Sequence, residues 1–174
     1  MKHTFLTLFV IATFCVKAQV GKPFPVIEGE TLDGKPMHLP PNNGKYTVVA
    51  IAFNKNAEDA LKKWLNPLYE TFMDKSKKPN MDMGETYDVN FYFVPMIAGF
   101  KKVADEFKAG TDKEFWPHVV DTKKSDISVV QAQLGVKDNK IPYFYVVDKA
   151  GKVVAMQSGS FTDDKMETLE EGIQ

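Results

Sequence analysis

Hydrophobic residues in this chain fall into two patterns, continuous runs and stripes at helical spacing. Residues 46–53 (YTVVAIAF) are continuous rather than alternating, which predicts a strand covered on both faces, and residues 89–97 (VNFYFVPMI) read as a second strand. Between them, Leu61, Trp64, Leu65, Leu68 and Phe72 recur at i, i+3, i+4, i+7 and i+11. That stripe predicts a helix over 57–75, with Asn56 as N-cap and Glu58 and Asp59 suited to the positive end of its dipole.

The remaining segments are shorter. The opening, 19–41, is rich in Gly and Pro, and its Asp33-Gly34 pair predicts a hairpin turn between strands near 26–27 and 37–39. Residues 76–88 form a polar insertion loop. Residues 100–109 read as a short helix closed by Gly110. A strand over 115–121 is expected away from the sheet centre, because Pro117 cannot donate to a ladder. A helix is expected over 125–134, with Val129, Val130 and Leu134 inward and Gly135 as its stop. Strands at 143–147 and 153–157 bracket a turn at 148–151, and a last helix covers 163–171. The order gives an α/β domain, a mixed central sheet flanked by helices with an N-terminal β-hairpin extension.

The N-terminus changes the picture. Lys2 and His3 precede an apolar run from Phe5 to Val16, and Val16-Lys17-Ala18 ends in the small residue a cleavage site needs. That is the layout of a secretory signal peptide, residues 1–18, leaving a domain over 19–174. The run is shorter than the roughly 20 residues of a membrane-spanning helix. Phe14 before Cys15 is too bulky for a lipoprotein signal, so soluble export to the periplasm or the extracellular space is expected. Cleavage removes Lys2 and Lys17 and leaves 20 basic against 23 acidic residues, a net charge of −3. That balance gives no footprint for nucleic acid, and no later stretch is apolar enough to span a membrane. Cysteine decides more than charge. The chain has one, Cys15, so the exported domain has no thiolate, no disulfide and no cysteine metal ligand.

Four segments carry a family resemblance. They are Gly21-Lys22-Pro23-Phe24-Pro25 with Thr31-Leu32-Asp33-Gly34-Lys35; Gly44-Lys45 leading into Val48 to Phe53; Leu134-Gly135-Val136 before Ile141-Pro142; and Val147-Asp148 with Gly151-Lys152-Val153. In that order and spacing the chain resembles the thioredoxin-like superfamily, and most closely its exported redoxin branch. The resemblance implies a cis proline at Pro142, beside a groove that receives extended peptides. It also implies a Cys-x-x-Cys pair opening the helix after the first central strand. Aligned from Phe53, that pair falls at Glu58 and Leu61. The family's redox chemistry therefore does not carry over.

What remains is a non-catalytic domain, expected to bind an envelope protein or peptide as a chaperone or assembly module. Cysteine-less thioredoxin-fold domains among respiratory-complex assembly factors resemble it. Its expected binding residues are Asn56, Glu58, Asp59, Ile141 and Pro142, set against the plainer roles of helix capping and loop shape. A redoxin-family enzyme with atypical activity is the alternative. A weaker one is copper handling through Met81 and Met83, since thioethers favour Cu(I). His3, His38 and His118 show no ligand spacing, and glycine phosphate loops and serine elbows are absent, so no cofactor is expected.

Overall fold

The computed structural model describes residues 19–73, 87–97, 105, 108–109, 112–122 and 127–173. The expected signal peptide, most of the 76–88 loop and most of the 100–109 helix lie outside them. The chain opens on a hairpin of β1 (Ile27–Thr31) and β2 (Pro36–Leu39). Its turn is not the two-residue type expected from Asp-Gly. Thr31 and Lys35 close a three-residue loop, the Thr31 N–H donating to Lys35 O at 2.8 Å, with the positive φ of +89° at Gly34.

β3 (Thr47–Ala52) runs into a 3-10 turn (Lys55–Ala57), α1 (Glu58–Leu68) and a π turn (Tyr69–Met73). The expected helix is thus shorter. Pro67 lies inside it and has no N–H for the ladder, and the last turns widen. β4 (Asn90–Pro95) follows, then a 3-10 turn (Lys113–His118) where a strand was expected to begin. Only β5 (Val120–Asp121) is extended there, because Pro117 sits in the turn. α2 (Ile127–Gln133), β6 (Tyr143–Val147), β7 (Val153–Ser158) and α3 (Asp163–Glu171) complete the order. In α2, Val130 and the following Leu134 are buried, but Val129, expected inward, is 49% exposed.

The central sheet has the order β4-β3-β6-β7, parallel between β3 and β4 and antiparallel elsewhere. A second sheet, β2-β1-β5, adds the hairpin. All six positions of β3 and all five of β6 are buried, because both of their faces are covered. Val48, Ala50, Phe144 and Val146 lie in one core with Trp64, Leu68 and Leu169 of α1 and α3. Val49, Ile51, Tyr145 and Val147 lie in the other with Phe24, Ile27, Leu39 and Val130. Trp64 is fully buried and stacks on Phe144 with ring centroids 4.0 Å apart. Removing a ring of that size from water contributes about 5 kcal/mol as an upper value, from roughly 200 Å² at ~25 cal/mol/Å².

Candidate functional site

The expected binding residues come from two elements whose ends the sheet brings together. β3 and β6 pair antiparallel with Ile51 opposite Tyr143, and the rings of Phe53 and Tyr143 lie 6.3 Å apart. The chain therefore leaves β3 toward α1 beside the point where Ile141-Pro142 enters β6. β7 ends at the same edge, and its loop is anchored on both. The Gly159 N–H donates to Pro142 O at 2.9 Å, and Trp64 Nε1 of α1 donates to Gly159 O at 2.9 Å. Lys165 Nζ donates to the carbonyls of Ser158 and Ser160, each at 2.8 Å. These contacts hold the three elements as one face.

Two of the residues, Asn56 and Pro142, differ from expectation in their local geometry. Asn56 is exposed but does not cap α1; the N-cap position is Ala57, which makes no side-chain cap bond. The capping work is done one turn earlier, where Asn54 Oδ1 accepts from the Asn56 N–H at 2.9 Å and Asn54 O from the Ala57 N–H at 3.0 Å. Glu58 and Asp59 are the first two residues of α1, at the positive end of its dipole; their side chains lie outside what is described. Ile141 is half-buried and Pro142 buried. The Ile141–Pro142 bond is trans, and the cis X-Pro bond among the described residues is Leu39–Pro40. Pro142 therefore shapes the loop from beneath, and its carbonyl is already occupied by Gly159. Met81 and Met83 lie outside the described residues. Among those described, no group of three or more His, Cys, Asp and Glu could hold a metal. His38 pairs with Glu28 at 2.6 Å on the surface, and His118 Nδ1 lies 3.0 Å from Phe91 O.

Sequence reasoning missed a cleft of about 460 Å³ at the opposite end of the sheet. Its walls include Lys35, Lys45, Phe91, Tyr92, Glu114 and His118. The hydroxyl of Thr31, with Lys35, holds the Asp33 carboxyl on its rim below the usual carboxylate range, and burial pushes the Tyr92 hydroxyl up. The only sequence signal was the Trp116-Pro117-His118 cluster, which reads as a strand when the 3-10 turn is not foreseen.

A family model for the ATP10 protein matches residues 1–174, the whole chain. The chain belongs to the ATP10 protein family. That is a different family from the redoxin branch, and the resemblance to the wider superfamily holds in the fold. The chain is similar to the thioredoxin domain of a thiol-disulfide oxidoreductase from Bacteroides vulgatus (22% identity, TM-score 0.56, 89% of this chain and 98% of that one). It is also similar to the exposed lipoprotein thioredoxin of Streptococcus pneumoniae (20%, TM-score 0.57, 84% and 99%). A thiol:disulfide interchange protein of Chlorobium tepidum is a third (18%, TM-score 0.54, 87% and 96%). At these identities the likeness establishes a thioredoxin-like fold. Among curated proteins none matches the chain in sequence. This ATP10-family chain has no cysteine in residues 19–174, and none of its described helices is long and apolar enough to cross a membrane.

Proposed function

We propose that this chain is a non-catalytic thioredoxin-like module of the cell envelope that binds another polypeptide as a chaperone or assembly factor. One observation carries the reading. α1 starts at Glu58, where the superfamily places its first active-site cysteine, and the second falls on Leu61. The helix-terminus environment that would lower a thiol pKa is kept while the thiols are gone. Family membership supports an assembly role, because ATP10 proteins are a family of mitochondrial assembly factors. The family's name points to ATP synthase, so a subunit of that complex is the first partner to test.

Export is part of the proposal. A mitochondrial transit peptide is amphipathic and Arg-rich. Residues 1–18 carry an apolar run, Phe5 to Val16, broken only by Thr7 and Thr13, and no arginine, and the chain's 22 basic residues are all lysine. The site would be the face built from Asn56, Glu58, Asp59 and Ile141, with Pro142 beneath it. A second reading, a redoxin-family enzyme using a cofactor or a partner's thiol, is favoured only by the activities for which its fold neighbours are named.

Retention by tagged 19–174 of host envelope proteins, identified by mass spectrometry, tests the first reading. The wild type is expected to retain ATP synthase subunits, and Asn56→Arg/Glu58→Arg to lose them at an unchanged melting midpoint. Equal retention by both would remove the face from the proposal. In parallel, insulin reduction with dithiothreitol is expected to stay at background; a rate that survives repurification would favour the enzyme.

A further inference from the structure

The loop before β3 holds the chain's one Asn-Gly pair, Asn43-Gly44, and both residues are exposed. This pair is the most reactive asparagine context a chain offers, because glycine leaves the following backbone nitrogen unhindered. That nitrogen attacks Asn43 Cγ, the Cγ–Nδ2 bond breaks, and ammonia leaves. Water then opens the resulting succinimide at either carbonyl, giving aspartate or isoaspartate. The attack requires the Asn43 side chain to swing onto its own backbone.

In the fold that side chain is held elsewhere. Asn43 Nδ2 donates to Asn90 Oδ1 at 2.9 Å, and Asn90 Nδ2 donates back to Asn43 Oδ1 at 3.0 Å. Asn43 Oδ1 also accepts from the Lys45 N–H at 3.3 Å. The clasp is rigid on the Asn90 side. The Asn90 N–H donates to Tyr46 O at 2.9 Å, and Asn90 Nδ2 also reaches Thr47 Oγ1 at 3.2 Å, on a residue 1% exposed. Asn90 Nδ2 also donates to Tyr46 O at 3.4 Å, and a carbonyl only accepts, so turning the amide over would lose that bond and the Asn90 oxygen stays aimed at Asn43 Nδ2.

We propose that Asn43-Gly44 is a spontaneous deamidation site that Asn90 keeps closed. The reciprocal amide pair is the lock, and it is lost with the modification. A carboxylate at 43 sets an acceptor against Asn90 Oδ1 where a donor was. It also places a new negative charge beside the Lys45–Asp88 ion pair, whose members are 2.6 Å apart and line the cleft. Deamidation thus both releases the loop and changes the charge at the mouth of the cleft.

The test is incubation of 19–174 at neutral pH and 37 °C, with mass spectrometry of the peptide containing Asn43. Asn90→Ala is expected to deamidate about tenfold faster than the wild type, the factor given by about 1.4 kcal/mol on the barrier. Asn90→Asp keeps the acceptor for Asn43 Nδ2 but not the donor, and is expected to fall between them. Asn139, in the exposed Asn139-Lys140 step, is the internal control and should not change. Equal rates at Asn43 in all three proteins overturn the proposal. So does acceleration at Asn43 and Asn139 together, which would mean general opening. If Asn90→Ala does not fold, the same decision rests on Asn90→Asp against wild type, folded and in urea. A wild-type rate no slower folded than unfolded also overturns it.

Discussion

Two tyrosines two residues apart show how differently one hydroxyl can be treated. The Tyr143 hydroxyl donates to Asp138 O at 2.9 Å and accepts from the Asp138 N–H at 3.2 Å, tying the 138–140 loop to β6. The Tyr145 hydroxyl is fully buried with no partner among the described residues, its ring packed edge-on to Phe24 at 5.7 Å. An unpartnered buried hydroxyl costs about 1–3 kcal/mol in lost hydration. Tyr145→Phe is therefore expected to raise the unfolding free energy by roughly 1 kcal/mol, read as a higher urea midpoint at unchanged slope, while Tyr143→Phe lowers it by a similar amount. Burial, and then the neighbouring Tyr143, push the Tyr145 hydroxyl well above the usual tyrosine range. The folded chain thus keeps a proton that the unfolded chain releases near pH ~10. Stability is intact below that pH and falls as pH rises above it. The alkaline decline should be shallower in Tyr145→Phe; an identical decline would mean that Tyr145 ionises normally in the fold.

At the scale of elements, periodicity was readable wherever one face or two faces met the core. β3, β6, β7 and α3 appear where the runs and stops place them, because burial dictates those patterns. Misreadings came where local chemistry overrode pattern. Pro67 shortened α1, Asn54 rather than Asn56 received the capping bonds, and Val129 faces solvent on a helix of only seven residues. The second sheet was not legible, because it depends on a contact between distant segments. β1 pairs with β5 through Glu30 opposite Asp121 and Thr31 opposite Val120. Gly29 permits that pairing: a Cβ there would lie 2.5 Å from Asp121 O and 2.7 Å from Val120 Cγ1. In sequence Gly29 looks like one more glycine of a loose opening, yet it marks a close backbone approach. Gly29→Ala is expected to cost about 1–3 kcal/mol as overpacking and to speed amide exchange in β1 and β5 while β3 and β6 stay protected. Unchanged stability with protected β5 amides would show that the two sheets tolerate separation there.

For the molecule as a whole, the question is whether this fold can carry the thiol–disulfide chemistry for which its structural neighbours are named. α1 keeps the required geometry. Glu58 is its first residue and Leu61 stands one turn on, at the i, i+3 spacing that puts Cα atoms about 5 Å apart in a helix, inside the range a disulfide spans. Side chains one turn apart are within reach of a disulfide, and the first would sit at the dipole's positive end, which lowers a thiol pKa. Glu58→Cys/Leu61→Cys in the 19–174 chain is therefore expected to form a reversible intramolecular disulfide, seen as a 2 Da loss on oxidation. If no disulfide forms, the ancestral site does not lie at the start of α1, and the face argued from it loses its basis. If the disulfide forms and insulin reduction rises above the wild-type background, the fold supports thiol–disulfide chemistry once thiols stand at 58 and 61. If it forms without reductase activity, the surroundings of α1 do not support the chemistry. The first place to look is then Pro142, which is buried and whose carbonyl accepts from the Gly159 N–H.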